Sequence, residues 1–257
     1  MGAKHKSPDT LRWRTCLSAA VLLAIGPVSP ASAETNGGAG QPVMAKITLG
    51  PREGAAHPMR QGQSVTGGGN IDVSQPAPDT LVIRMSGNVA ACGNLLAGAN
   101  AALDFYENLQ FLVEFSQPGH TGKLVIVSTV NGVLSGKGKH ASVGMSDANV
   151  VITCGPNSIA SIPIPARSAG CGESFALNAS QGPICAPIYA GCYNLRQDFT
   201  IFASHKAGVL CGKAIAEFSP SPLSSSWIGA SYPFQQVDKK GFGYEVTVRV
   251  VPDPIVK

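Results

Sequence analysis

Along much of the chain, apolar and polar residues alternate one for one. Val43, Ala45, Ile47 and Leu49 share one side of a two-residue period, with Lys46 and Thr48 on the other. Leu81, Ile83 and Met85 repeat the pattern against Thr80 and Arg84, as do Leu109, Phe111, Val113 and Phe115 against Gln110 and Glu114. Successive side chains of a strand point to opposite faces, so each run predicts a half-buried strand. Phe199, Ile201 and Ala203 suggest another. The cleanest is the last, with Tyr244, Val246, Val248 and Val250 facing one way and Glu245, Thr247 and Arg249 the other. Strands with one wet face pair antiparallel.

Local signals refine this outline. Asn131-Gly132 follows the apolar run 123–130 and suits a two-residue turn, which predicts a hairpin there. Residues 140–146 and 149–153 extend it as a meander that turns near Asp147-Ala148. Between 94 and 106, Asn94 is a good N-cap, and Leu95, Ala99, Ala102, Leu103 and Tyr106 fall at helical spacing, which predicts one short helix. From Gly155 to Ser231 the texture changes: prolines 156, 163, 165, 183, 187, 220 and 222 crowd the segment, and dense proline disfavours long ladders. Gly67-Gly68-Gly69 reads as a turn or bulge, since no helix pattern follows to make it a phosphate cradle. No fixed-period repeat occurs, which excludes solenoids and propellers. The fold expected is mainly β: an antiparallel β-sandwich-like domain with one short helix and a Pro/Cys-rich, loop-rich second half.

The N-terminus changes the picture of compartment. Lys4, Lys6, Arg12 and Arg14 precede an apolar run at 17–25, and Ala31-Ser32-Ala33 offers a small-x-small cleavage site. The run falls far short of the ~20 residues that span a bilayer. Residues 1–33 therefore read as a secretory signal cleaved near Ala33, 34–41 as a polar leader, and 42–257 as one secreted β-rich domain without a membrane span. The expected location is extracellular or periplasmic.

Cleavage also changes the charge. The chain has 19 Lys+Arg and 15 Asp+Glu; the signal takes four of the former and only Asp9 of the latter, which lowers the net charge from +4 to +1. A nucleic-acid partner loses its electrostatic basis. Only 13% of residues are charged, against roughly 25% in ordinary domains. Lys137, Lys139 and His140 form a local basic segment that reads as a solvated strand edge.

Seven cysteines become six when Cys16 leaves with the signal: Cys92, Cys154, Cys171, Cys185, Cys192 and Cys211. An even set in an oxidising compartment predicts structural disulfides. Spacing alone does not choose the partners; pairing in sequence order (Cys92 with Cys154, Cys171 with Cys185, Cys192 with Cys211) is preferred. No C-x-x-C pair supports a zinc or thioredoxin-like site.

Candidate chemistry is sparse. G-x-S-x-G and H-E-x-x-H are absent, so neither the nucleophile elbow nor the helix-borne zinc site is expected, and no metal or cofactor is predicted. Ser146-Asp147-Ala148-Asn149 has too few oxygen ligands for a calcium loop and reads as a turn. Aromatic residues on bridged loops remain: Tyr189 and Tyr193 bracket Cys192, and Trp227 and Tyr232 lie close together. Such rings either stack on a ligand or cover the core where loops replace sheet. The function expected is a non-catalytic binding or structural protein associated with an extracellular glycan or a cell-surface protein, with Tyr189, Tyr193, Trp227 and Tyr232 as its ligand face. The alternative is a secreted hydrolase that draws on His120, His140 or His205 with Asp104, Asp147 or Asp198. A strand-exchanging surface-assembly component is a third reading.

Overall fold

A computed structural model describes residues 42–62, 65–93, 96–137, 140–170, 172–207, 213–217 and 243–255. Among these are thirteen strands and no helix. They are β1 (Ala45–Gln61), β2 (Val65–Ala77), β3 (Thr80–Cys92), β4 (Ala99–Phe115), β5 (Thr121–Lys137), β6 (Ala141–Met145) and β7 (Ala148–Cys154), followed by β8 (Asn157–Ile164), β9 (Arg167–Ala169), β10 (Ser174–Tyr189), β11 (Gly191–His205), β12 (Lys213–Glu217) and β13 (Tyr244–Pro252). The proposed signal and leader lie outside the described residues.

The strands form two antiparallel sheets packed as a sandwich. In the seven-stranded sheet β1 pairs with β4 and β4 with β11; β6 and β7 then lie end to end along β11, with β9 and β8 outside them. In the six-stranded sheet β10 pairs with β5 and β2 with β3, and β12 and β13 share the slot between β5 and β3. The alternating positions face the partner sheet as the period requires: Ile47, Leu81, Ile83, Met85, Leu109, Phe111, Val113, Ile201, Ala203 and the whole series Tyr244 to Val250 at even numbers are buried. Phe105 stacks on Phe199 with ring centroids 4.8 Å apart, and Phe199 meets Tyr244 of the other sheet at 5.1 Å. There the Ser128 hydroxyl donates to the Tyr244 hydroxyl at 2.7 Å. Gly69 and Gly87 leave the space that Leu103 and Phe105 fill, where any Cβ would clash with the Leu103 side chain.

Four local expectations yield to the sheet. The segment expected to be helical enters β4, where Ala99, Ala101, Leu103 and Phe105 face inward between two hydrogen-bonded neighbours; pairing along both edges overrides an N-cap and an approximate helical spacing. Asn131-Gly132 makes no turn. It lies inside β5 opposite Asn178 and Leu177 of β10, and the Asn131 amide donates to the Gly243 carbonyl at 2.7 Å on the other side. The expected meander is instead one interrupted strand. β7 and β6 follow one another along β11, and at the break the Ser146 amide bonds the Thr200 carbonyl while the Ser146 hydroxyl accepts from the Thr200 amide, both at 2.8 Å. Gly67 to Gly69 are also strand, within β2.

The second half is the largest correction, because residues 157–205 are mostly strand. Proline did not prevent this; it selected position. Prolines within the described strands occur on strands bonded to one neighbour (β1, β2, β8 and β10) or, as Pro252, at a strand end. Pro51, Pro76 and Pro183 fall inside register shifts. Strands β3, β4, β5 and β11, bonded on both sides, contain none. A ring that lacks an N–H costs nothing where that N–H would face no partner.

The Ser128–Tyr244 contact gives a test. Burial holds the Tyr244 hydroxyl far above the usual tyrosine range. The unfolded chain therefore loses this proton first, and stability should fall as pH rises past ~10, the unfolded-state value. Tyr244→Phe should lower unfolding stability by about 1–2 kcal/mol at neutral pH and show a shallower alkaline decline in urea titrations. Identical alkaline slopes for the two proteins would contradict the assignment.

Candidate functional site

The aromatic residues singled out from sequence divide sharply. Tyr189 ends β10 with 63% of its surface exposed, whereas Tyr193 is only 5% exposed and faces the core. Tyr193 stacks on Phe111 at 5.6 Å; its hydroxyl donates to the Tyr189 carbonyl at 2.8 Å and accepts from the Tyr189 amide at 3.1 Å. Burial pushes the Tyr193 hydroxyl above its ordinary value. The expected ligand residue is thus a core residue that fixes the backbone of its neighbour, because odd-numbered positions of β11 point inward. Trp227 and Tyr232 lie outside the described residues, as do Cys171 and Cys211.

Among the described residues no disulfide is formed. Cys154, Cys185 and Cys192 are exposed, and the expected bridge between Cys92 and Cys154 is not formed; the partners expected for Cys185 and Cys192 lie outside the described residues. The residues of the hydrolase reading are also dispersed. A His120 ring nitrogen bonds the Asp253 carbonyl at 2.9 Å, His140 sits exposed in a turn, and both ring nitrogens of buried His205 lack a partner. Asp104 accepts from the Thr200 hydroxyl at 2.7 Å and Asp147 from the Ala166 amide at 2.6 Å, while Asp198 pairs with Arg196 at 3.5 Å. No histidine–carboxylate hydrogen bond and no group of three metal-ligating side chains occurs among the described residues. Two shallow clefts of about 380 and 450 Å³ near Lys46 and Pro78 contain no histidine.

The polar side chains that the register does assemble lie on the outer face of the seven-stranded sheet. In one row Glu53, Asn108, Arg196, Val151 and Ser161 stand side by side on β1, β4, β11, β7 and β8. In the next stand Ala55, Tyr106, Asp198, Asn149 and Pro163. Gln110, Asn194 and Thr153 flank the first row, and His57, Asp104 and Thr200 the second. Neighbours across strands are about 4.8 Å apart and those along a strand about 6.8 Å, so the field covers roughly 20 Å in each direction.

Its residues are short and braced. Besides the Thr200–Asp104 bond, the Ser161 hydroxyl donates to the Asn149 carboxamide oxygen at 2.8 Å, and the Arg196 guanidinium lies 6.0 Å from the centre of the Tyr106 ring. Two acceptors are left over. The carboxamide oxygens of Asn108 and Asn194 are shielded from solvent and receive no hydrogen bond, a state that costs about 1–3 kcal/mol per group. From sequence, Tyr106 was placed in the expected helix and Asn108 and Asn194 were not singled out. The detectable signal was the run of polar residues at even positions of 104–110 and 194–200, but only the register aligns them.

A second polar group lies inside. Glu107 is fully buried, and Arg52 meets its carboxylate through Nε at 2.8 Å and Nη2 at 3.1 Å. Arg52 Nη2 also donates to the Ile71 carbonyl of the facing sheet at 3.2 Å. Gly54 makes this possible, since a Cβ there would collide with the carboxylate. Gln197, the register partner of Glu107, is buried with neither amide atom paired. This cluster ties the edge strands β1 and β2 together. Comparison with protein-family models, curated proteins and solved structures finds no match, so the functional reading rests on this geometry.

Arg52→Ala would leave the Glu107 charge buried alone and should destabilise by on the order of 3 kcal/mol in urea unfolding. The double change Arg52→Met with Glu107→Leu should recover most of that loss. A double variant as unstable as the single one would show that the lost packing of Arg52, and not the stranded carboxylate, sets the cost.

Proposed function

We propose that the protein is exported and acts as a non-catalytic binding protein that holds a polyhydroxylated ligand, a glycan, on the outer face of its seven-stranded sheet. The observation that carries this reading is the field of short side chains around Tyr106. Asn, Asp, Thr and Tyr lose little rotamer entropy on binding, in contrast to Lys or Glu. Carboxamides both donate and accept, which suits hydroxyl groups, and a tyrosine ring supplies an apolar surface with a polar tip. The N-terminal signal pattern supports export. The disulfides expected of an exported chain belong to the same proposal, with Cys171 and Cys211 outside the described residues. The hydrolase reading has less support, since none of its histidines hydrogen-bonds a carboxylate among the described residues.

Affinity electrophoresis through gels that contain soluble polysaccharides tests the reading. Tyr106→Ala and Asn108→Ala should each weaken retardation by at least about tenfold, a loss equivalent to 1.4 kcal/mol, with an unchanged thermal midpoint. Retardation lost instead in Tyr189→Ala would move the site to the end of the sandwich and refute the sheet-face assignment.

A further inference from the structure

Resting on that reading, we infer that the outer face takes internal segments of an uncharged polysaccharide chain, and neither an anionic polymer nor a free monosaccharide. Charge sets the first half. The two rows and the one flanking them at His57 carry Glu53, Asp104 and Asp198 against Arg196, which is already paired with Asp198 and lies near the Tyr106 ring. The nearest outward lysine on these strands, Lys46, stands opposite Glu114 at the far end of β1. A uronate or sulfate polymer would lay its own charges over this surplus of carboxylates and be repelled. Neutral hydroxyls meet no such penalty, and carboxamide side chains both donate to and accept from them.

Shape sets the second half. The field is a sheet face without an end wall: its rows continue from β1 to β8, and the positions beyond them are Met59, Ala102 and Phe202 on one side and Leu112 and Cys192 on the other. A single sugar on such a surface would bury little area and touch few of the dispersed amides. A chain several units long engages Tyr106, Asn108, Asn149 and Asn194 together, and many shallow contacts on one polymer act as linked binding events. With no wall across these rows among the described residues to receive a terminus, recognition falls on internal units.

The test compares probes on the intact mature chain. Hydroxyethylcellulose, dextran and mannan serve as neutral polymers, polygalacturonate and alginate as anionic ones, and glucose, mannose and galactose as monosaccharide competitors. The expected result is retardation by at least one neutral polymer, changed less than twofold between 0.05 and 0.5 M NaCl, abolished in Tyr106→Ala and unaffected by 50 mM monosaccharide. Retardation by the anionic polymers alone, weakening with salt, would overturn the inference yet leave a glycan-binding protein. Full competition by a monosaccharide would overturn the polymer half in the same way. Retardation by none of the polymers would reject the glycan reading itself.

Discussion

The unbroken ladder between β4 and β11 is the constraint on which the remaining architecture depends. Fifteen consecutive pairs, from Gly191 opposite Val113 to His205 opposite Ala99, hold the two strands in one register without a bulge. Because side chains alternate with period two, that register assigns every odd-numbered position of both strands to the core and every even-numbered one to the outside. A slip of one residue would bury Asp104, Arg196 and Asp198 and expose Phe105, Leu195 and Phe199. The aromatic stack and the outer polar field are thus two sides of the same pairing.

The interior of this ladder is not wholly apolar. At mid-height Glu107 and Gln197 replace hydrophobic residues, and across the sandwich Ser128 and Tyr244 share a hydroxyl bond. Such a layer is costly unless its members are paired, and here the cost is met unequally: Glu107 has Arg52, whereas Gln197 has no partner. Arg52 reaches the acid from an edge strand while it also holds a carbonyl of the other sheet. Closure of the sandwich on that side is therefore electrostatic as well as hydrophobic, and a buried charge that must find one arginine disfavours alternative pairings of β1.

How much of this was legible in the sequence depends on the range of the interaction. The alternating runs near 45, 81, 109, 199 and 244 were readable because period two is a local property that burial of one face enforces. The errors arose where a local signal met a longer ladder. Asn131-Gly132 has turn chemistry, but β5 is bonded on both sides, so a turn would sacrifice pairs with β10 and β13. The prolines of 155–190 were read as breakers of sheet when they were markers of its edges, a distinction that needs the strand order. The binding face was less visible still. Asn108 and Arg196 are 88 residues apart in sequence and direct neighbours in register, so no reading of one strand at a time could join them. Tyr193 is a different case: its two-residue phase with Leu195 and Phe199 on one strand places it inward, and its proximity to Tyr189 in sequence obscured that phase.

The slot shared by β12 and β13 separates two properties of a chain that usually travel together, its length and its architecture. Glu217 stands opposite Asn88 and Tyr244 opposite Met85 on the same strand, so the end of β12 and the start of β13 lie three residues apart along β3. Lengthening a connection between such close ends adds only logarithmically to the entropy of closure. The pairing of β12 and β13 with β3 and β5 therefore constrains the length of the connection between them only weakly.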